Sequence, residues 1–475
     1  MSRAGGYTLA RTLEPQRWDE VTRGATLHRF RASGGDPIKD IAMRIGVLLF
    51  LYLPALALAA SPARERWLVT TDLWGNPSYA LLEWGREGDA LSGTFDGDPL
   101  AGERHGDTIR FHVTAGDGTA YAFDGERRGD AMRGMADWPD SNHPGRRVPH
   151  AFVARRIAER PPGPPRTVVF EPTTFSNEFS PHRAPVLTIW PGDSVRTRTI
   201  DSGGIDAHDV TRALYGNPQT GPFYVDGAAP GDTLVVHVVR LHPNRDYADS
   251  LDAIVGRALG ARLAGDARGL GKPVRWLLDR ERGTARPQAP GERLRHFEVP
   301  LRPMLGGLAV APPFGFAPVS TGDTGRFGGN MDFNEIVEGT TVYLPVYQPG
   351  ALLYLGDAHA RQGDGETSQY ALETSMDVEF RIDVVHGKAP SSPRVESATQ
   401  IMVLGQAGSL EDAVRAATSG LVEWLHEGYG LDLSESAQVL GSAVEYRIAN
   451  LAGRNVGVAA KLDKALLARI GRIVP

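Results

Sequence analysis

The chain has 475 residues, 41% of them hydrophobic, no cysteine, and a formal net charge of -6. That length exceeds one ordinary core and implies two or three domains. The charge balance, with no large basic block, argues against a nucleic-acid partner. The missing cysteine excludes disulfides, thiolate zinc sites and every Cys nucleophile.

In chain order, residues 1–42 are polar, Arg-rich and without clear periodicity. They read as an upstream extension, with synthesis starting at Met43. Met43-Arg44 then precedes an apolar run ending Ala57-Leu58-Ala59-Ala60. A short basic start, an apolar middle and a small-x-small end make a secretory signal over 43–60. The run of about 16 residues is short against the roughly 20 that a membrane span needs. The expectation is a periplasmic or secreted protein with no membrane anchor after cleavage.

Residues 61–159 read as an accessory antiparallel β-domain, a small barrel or sandwich. Gly88-Asp89, Gly97-Asp98, Gly106-Asp107, Gly116-Asp117 and Gly129-Asp130 recur at intervals with room for one short strand each. Ile109, Phe111 and Val113 alternate with polar residues, as a half-buried strand requires. Trp67, Trp74, Trp84 and Trp138 fill its core or line a ligand surface. The Pro- and Gly-rich run 160–166 then cannot be helix or central strand and marks a stiff linker.

From 167 to 475 the chain is mostly β with some α, an α+β reading. Pro191-Gly192-Asp193 and Pro230-Gly231-Asp232 introduce strands, and Asp193, Asp232 and Asp323 read as turn caps. His237 falls inside an apolar strand and reads as a satisfied core residue. Residues 255–295 look like a variable insertion. Two antiparallel helices come last, one capped by Ser409 with Leu421 and Leu425 on its apolar face, the other capped by Ser434.

Chemistry concentrates in loops of this second part. Leu355-Gly356-Asp357-Ala358-His359 follows a buried strand and leads through Gln362-Gly363-Asp364-Gly365-Glu366 towards Glu373. Carboxylates and an imidazole at the end of a rigid strand suit a divalent metal and the activation of water. No Gly-x-Ser-x-Gly elbow and no cysteine offers a nucleophile, so activated water remains for splitting an amide.

Thr220-Gly221-Pro222, Gly328-Gly329-Asn330-Met331-Asp332, Thr340 to Val346, and Gly356 to Ala360 with Gln362 to Glu366 together resemble the acetamidase/formamidase family, in the family's order, over roughly Arg166 to Leu466. The resemblance implies a β-rich catalytic domain, subunits that assemble as a homo-oligomer, and hydrolysis of a small-molecule amide with a divalent metal, zinc ahead of calcium. On that reading Asp201, Asp357, His359 and Asp364 are the expected ligands. Glu366 or Glu373 is the general base. Thr220, Asn330 and Asp332 hold the amide or orient the ligands. The rival reading is a secreted, calcium-stabilised binding protein without amidase activity; a third keeps hydrolysis but takes a bulkier exported amide, cyclic amide or ester as substrate.

Overall fold

The computed structural model describes residues 64–313 and 318–472. The expected extension and export signal lie outside the described residues. Among the described residues, no helix is long and apolar enough to cross a membrane.

The accessory domain is a closed barrel of eight antiparallel strands, from Glu65–Leu73 to Arg147–Arg156. The strand Thr108–Thr114 alternates as its sequence requires, with Ile109, Phe111 and Val113 facing inward. Gly88, Gly106 and Gly129 take left-handed φ values of 62°, 60° and 62° in the connecting turns, which is the reason for glycine there. Trp67 and Trp84 fill the interior, while Trp74 is exposed at the rim. The interior is packed with aromatic rings, Phe111 stacking on Phe123 at 4.4 Å.

The 160–166 run is pinned rather than loose. Buried Asp193 accepts hydrogen bonds from Arg160 Nη2 at 2.9 Å and from Arg166 Nη2 at 2.6 Å. The aspartate read as a turn cap therefore also ties the linker to the second part. The barrel touches that part directly: Arg155 Nη2 donates to the Tyr224 hydroxyl at 2.9 Å, and Leu68 and Leu81 pack on Ala229.

The second part is built on a six-stranded and a nine-stranded sheet whose inner faces share one hydrophobic core, with Leu305, Leu308, Leu353 and Leu355 from one and Leu234, Val236, Leu344 and Phe380 from the other. His237 sits in the larger sheet, its ring nitrogens 3.0 Å from Thr341 Oγ1 and 3.0 Å from Asp383 Oδ2, a satisfied residue as expected. The helix Leu410–Tyr429, capped by Ser409, covers the larger sheet through Ala417, Leu421 and Leu425. Gly405 permits that approach, because a Cβ there would meet the Ala413 carbonyl oxygen.

The second helix, Leu433–Ala443, is capped by Asp432 and not by Ser434; Glu435 returns to the Asp432 amide and completes a capping box. After it come two further strands, Glu445–Asn450 and Val456–Asp463, which extend the nine-stranded sheet. Ile448, read as part of the helix, lies in the first of them. Within residues 255–295, read as a variable insertion, Pro273–Asp279 and Thr284–Pro287 form the middle strands of a four-stranded antiparallel sheet.

Candidate metal centre

The strand Leu353–His359 is buried along its whole length, between Gln219–Val225 and Met304–Ala309 in the six-stranded sheet. Being two residues apart, Asp357 and His359 project to one side of it. Three other acidic residues meet them. Asp332 arrives from the loop after Gly328–Asn330, where its amide and that of Met331 both donate to the Gly306 carbonyl. Glu366 and Glu373 come from the segment following the histidine, and the Ala371 amide donates to both, at 3.2 Å to Glu366 Oε1 and 3.0 Å to Glu373 Oε1.

The five side chains form two groups that share the imidazole, Asp332–His359–Glu366 and Asp357–His359–Glu373, each with ligand atoms within 4.8 Å of one another. His359 Nε2 lies 3.5 Å from Asp357 Oδ2 and 3.2 Å from Glu373 Oε1. All five residues are buried, none more than 6% exposed.

Backbone conformation is part of the design. Asp332, Asp357 and Glu366 have φ values of 43°, 49° and 45°. Left-handed backbone is disfavoured for residues with a side chain, and such strain clusters at functional sites. Gly306 stands across from Asp357. A Cβ there would come within 2.5 Å of Asp332 Oδ1 and 2.7 Å of Asp357 Oδ2. The glycine makes room for two carboxylates.

Supporting groups fix the orientations. Gln362 Nε2 donates to the carbonyls of Asp332, at 2.5 Å, and Ala449, at 3.3 Å, which aims its oxygen at His359 Nδ1, 2.9 Å away. That oxygen can only accept, so Nδ1 carries the proton and Nε2 faces the carboxylates. Asp332 Oδ2 accepts from Asn330 Nδ2 at 2.6 Å and from Asn450 Nδ2. Asn330 is in turn held by Asn217 Nδ2 at 2.9 Å.

The donor set fits a cation. Asp332 Oδ1, Asp357 Oδ1, His359 Nε2 and Glu373 Oε2 are buried and have no hydrogen-bond partner. Buried polar groups without partners are costly, and buried like charges more so. Burial and then the neighbouring carboxylates push Asp332 and Glu366 well above the ordinary carboxylate range. Burial raises Glu373 as well. For His359, burial alone would lower the pKa, but the Glu373 and Asp357 carboxylates outweigh it and raise it well above the usual value. Negative charge is gathered here in excess of what the protein neutralises, the condition a divalent ion satisfies.

Of the expected ligands, Asp357 and His359 lie in the cluster. Asp201 and Asp364 lie outside it. Asp201 Oδ2 pairs with Arg245 Nη2 at 2.7 Å, and its other oxygen accepts from the Ile205 amide at 2.8 Å. Asp364 points away, bound by Arg447 Nη2 at 2.8 Å and Asn334 Nδ2 at 2.9 Å. Asp332, expected to hold the amide, and Glu366 and Glu373, expected as bases, stand in the cluster beside Asp357 and His359. Asn330 orients Asp332. The Thr220 hydroxyl is committed to the Arg198 carbonyl at 2.8 Å. Sequence reasoning missed Gln362, three residues from the histidine and so within reach of a local reading. It also missed Asn450 and Gly306, which no local pattern connects to the loop.

The barrel docks away from this centre. Along Gln219–Val225, Gln219 and Thr220 pair with Gly356 and Leu355 beside the centre, while Tyr224 meets the barrel. The four steps from Thr220 to Tyr224 span about 13 Å at ~3.3 Å per residue.

A β-rich two-sheet fold closed around a buried His–carboxylate centre describes a class that comparison with known proteins places. The Acetamidase/Formamidase family profile matches residues 318–448. The solved structure of an acetamidase from Yersinia enterocolitica is 30% identical, with a TM-score of 0.56, over 64% of this chain and 93% of that one. An acetamidase structure from Bacillus halodurans is 26% identical, with a TM-score of 0.55, over 64% of this chain and 100% of the other. The formamidase of Methylophilus methylotrophus is 24% identical over 261 residues, 44% of this chain and 63% of its own length. This chain belongs to the acetamidase/formamidase family. It spans just under two thirds of the length of the curated relatives it matches.

Proposed function

We propose that the chain is a metal-dependent amidohydrolase that converts a linear carboxamide and water to a carboxylate and ammonia. The observation that carries this is the set of four partnerless buried atoms, Asp332 Oδ1, Asp357 Oδ1, His359 Nε2 and Glu373 Oε2, on residues of the two groups that share His359. Family membership supports the same reaction class. Asp332, Asp357, His359 and Glu366 would hold the ion, and the mixed nitrogen and oxygen set suits zinc ahead of calcium. Such an ion, when bound, lowers the pKa of a water and polarises the amide carbonyl.

The protein's own work is orientation and proton transfer. Gln362 keeps the His359 Nε2 lone pair directed into the centre. Asn330 and Asn450 keep Asp332 Oδ1 free by occupying its other oxygen. Of the two glutamates, Glu373 is the better placed proton carrier, since its Oε2 has no partner and its Oε1 is fixed by the Ala371 amide. It would accept the proton from water and deliver it to the departing nitrogen. Closure of the centre excludes bulk water, which strengthens each of these interactions.

Export through residues 43–60 and assembly into homo-oligomers belong to this reading. The test is metal analysis of purified protein together with ammonia release from formamide and acetamide, before and after chelation. We expect about one tightly held divalent ion per chain and turnover that returns on adding zinc. Undiminished turnover by chelated, metal-free protein would overturn the proposal.

A further inference from the structure

The five residues of the centre are buried, yet two separate loops tied to it each carry a phenol ring. Tyr215 is 66% exposed. Its loop is fixed from below: Asn177 Nδ2 donates to the carbonyls of Leu214 at 3.0 Å and Tyr215 at 3.4 Å, and the Gly216 amide donates to the Ser202 carbonyl at 3.1 Å. Two residues on, Asn217 reaches the Asn330–Asp332 pair. Tyr370 precedes Ala371, whose amide holds both Glu366 and Glu373. The two rings lie 6.3 Å apart, inclined at 50°. Burial raises the Tyr215 hydroxyl pKa, and the Glu373 and Asp357 carboxylates raise it further. The Tyr215 loop is thus tied to the centre through Asn217, and the Tyr370 loop through Ala371. Leu214 and Val210 on the same loop are 79% and 42% exposed. Exposed aromatic and aliphatic side chains carried on one braced loop offer a surface that a ligand can cover.

We propose that Tyr215 and Tyr370 form an aromatic wall at the mouth of the centre, and that the preferred substrates are carboxamides whose acyl group carries an aromatic ring. The inference rests on the amidohydrolase reading and adds a substrate class to it. A one- or two-atom acyl group, as in formamide or acetamide, would occupy the carboxylate cluster and leave the wall bare. An aryl ring one or two carbons from the carbonyl covers it, and aromatic pairs gain beyond their buried area. Phenylacetamide has this geometry.

The experiment compares kcat/KM for phenylacetamide and acetamide in the zinc-loaded full chain, in Tyr215→Ala, Tyr370→Ala and Tyr215→Phe. The expected wild-type ratio favours phenylacetamide by roughly tenfold or more, falls at least about tenfold in each alanine variant, and survives in Tyr215→Phe, which keeps the ring. Calorimetric titration of phenylacetate, the expected product, should show tighter binding to the wild type than to Tyr215→Ala. Acetamide turnover with no phenylacetamide preference would overturn the inference and spare the amidohydrolase reading. A Tyr215→Ala variant with an unchanged ratio and a changed sedimentation coefficient would make this loop a contact between copies and also overturn it. Ammonia from neither amide would overturn both.

Discussion

His359 Nε2 lies 3.2 Å from Glu373 Oε1, and the other ring nitrogen is committed to Gln362. The two residues face each other across the space a cation would occupy, but their tasks differ. His359→Ala removes the one nitrogen donor of the set. We expect it to lose bound metal and turnover together, read by metal content and ammonia release. Glu373→Gln keeps the shape and the Ala371 contact but cannot carry a proton. It should retain a measurable fraction of the metal while kcat falls by about 10²–10⁴-fold. Equal loss of metal in both variants would make Glu373 a ligand and not the proton carrier.

Asp201 offers a contrast. Its side chain and that of Arg245 are 6% and 2% exposed and 2.7 Å apart. Arg245 also donates to the Glu373 carbonyl at 3.2 Å, so the pair braces the segment that carries Glu373. Removing one partner of a buried pair leaves an uncompensated charge, at a cost of about 3–5 kcal/mol. Asp201→Ala should lose stability on that scale in urea titration, while its folded fraction keeps the wild-type metal content. Loss of metal without loss of stability would restore Asp201 as a ligand.

What could be read from the sequence was whatever repeats locally. The inward triad Ile109, Phe111 and Val113, the Gly-Asp turns of the barrel, the Ser409 cap and the Asp357–His359 pair on one strand all follow from short-range rules. Selection among carboxylates did not. Asp364 lies five residues from the histidine, but Arg447, in a strand formed much later in the chain, draws it away. Glu373, farther along, returns because its backbone pairs with His359. Asn450 and Gly306 enter the site only through sheet pairing at long range. Spacing along the chain cannot encode that.

The barrel carries its own titrating group. Glu65 lies at the edge of its aromatic core, where burial pushes the carboxyl up. The Arg127 guanidinium at 2.7 Å and the indoles of Trp84 and Trp67 more than offset this and hold its pKa near 2, against an ordinary value of 4.5. Because the folded pKa is depressed, the unfolded chain binds the extra proton between these values. The stabilisation is therefore full above about pH 4.5 and is lost as pH falls towards 2. Melting midpoints of the full chain measured from pH 7 to pH 3 should fall more steeply for the wild type than for Glu65→Gln, with the two converging at the acid end. Parallel curves would show that Glu65 is not the group responsible.

Gly306 tests the centre without touching a ligand. Its backbone carbonyl already receives the Met331 and Asp332 amides, at 2.9 Å and 3.2 Å, so the strand cannot retreat freely. A methyl group there would stand 2.5 Å from Asp332 Oδ1 and 2.7 Å from Asp357 Oδ2. Either the carboxylates swing aside or the strand shifts, and overpacking of this kind costs about 1–3 kcal/mol. Gly306→Ala should therefore weaken metal retention during dialysis against chelator and lower turnover, while the barrel, whose contacts among the described residues include Tyr224 and Ala229 and none of the centre's residues, keeps its melting behaviour. If the variant holds its ion as firmly as the wild type, Asp332 and Asp357 do not share one ion across this glycine, and the ligand set must be redrawn around His359 and the two glutamates.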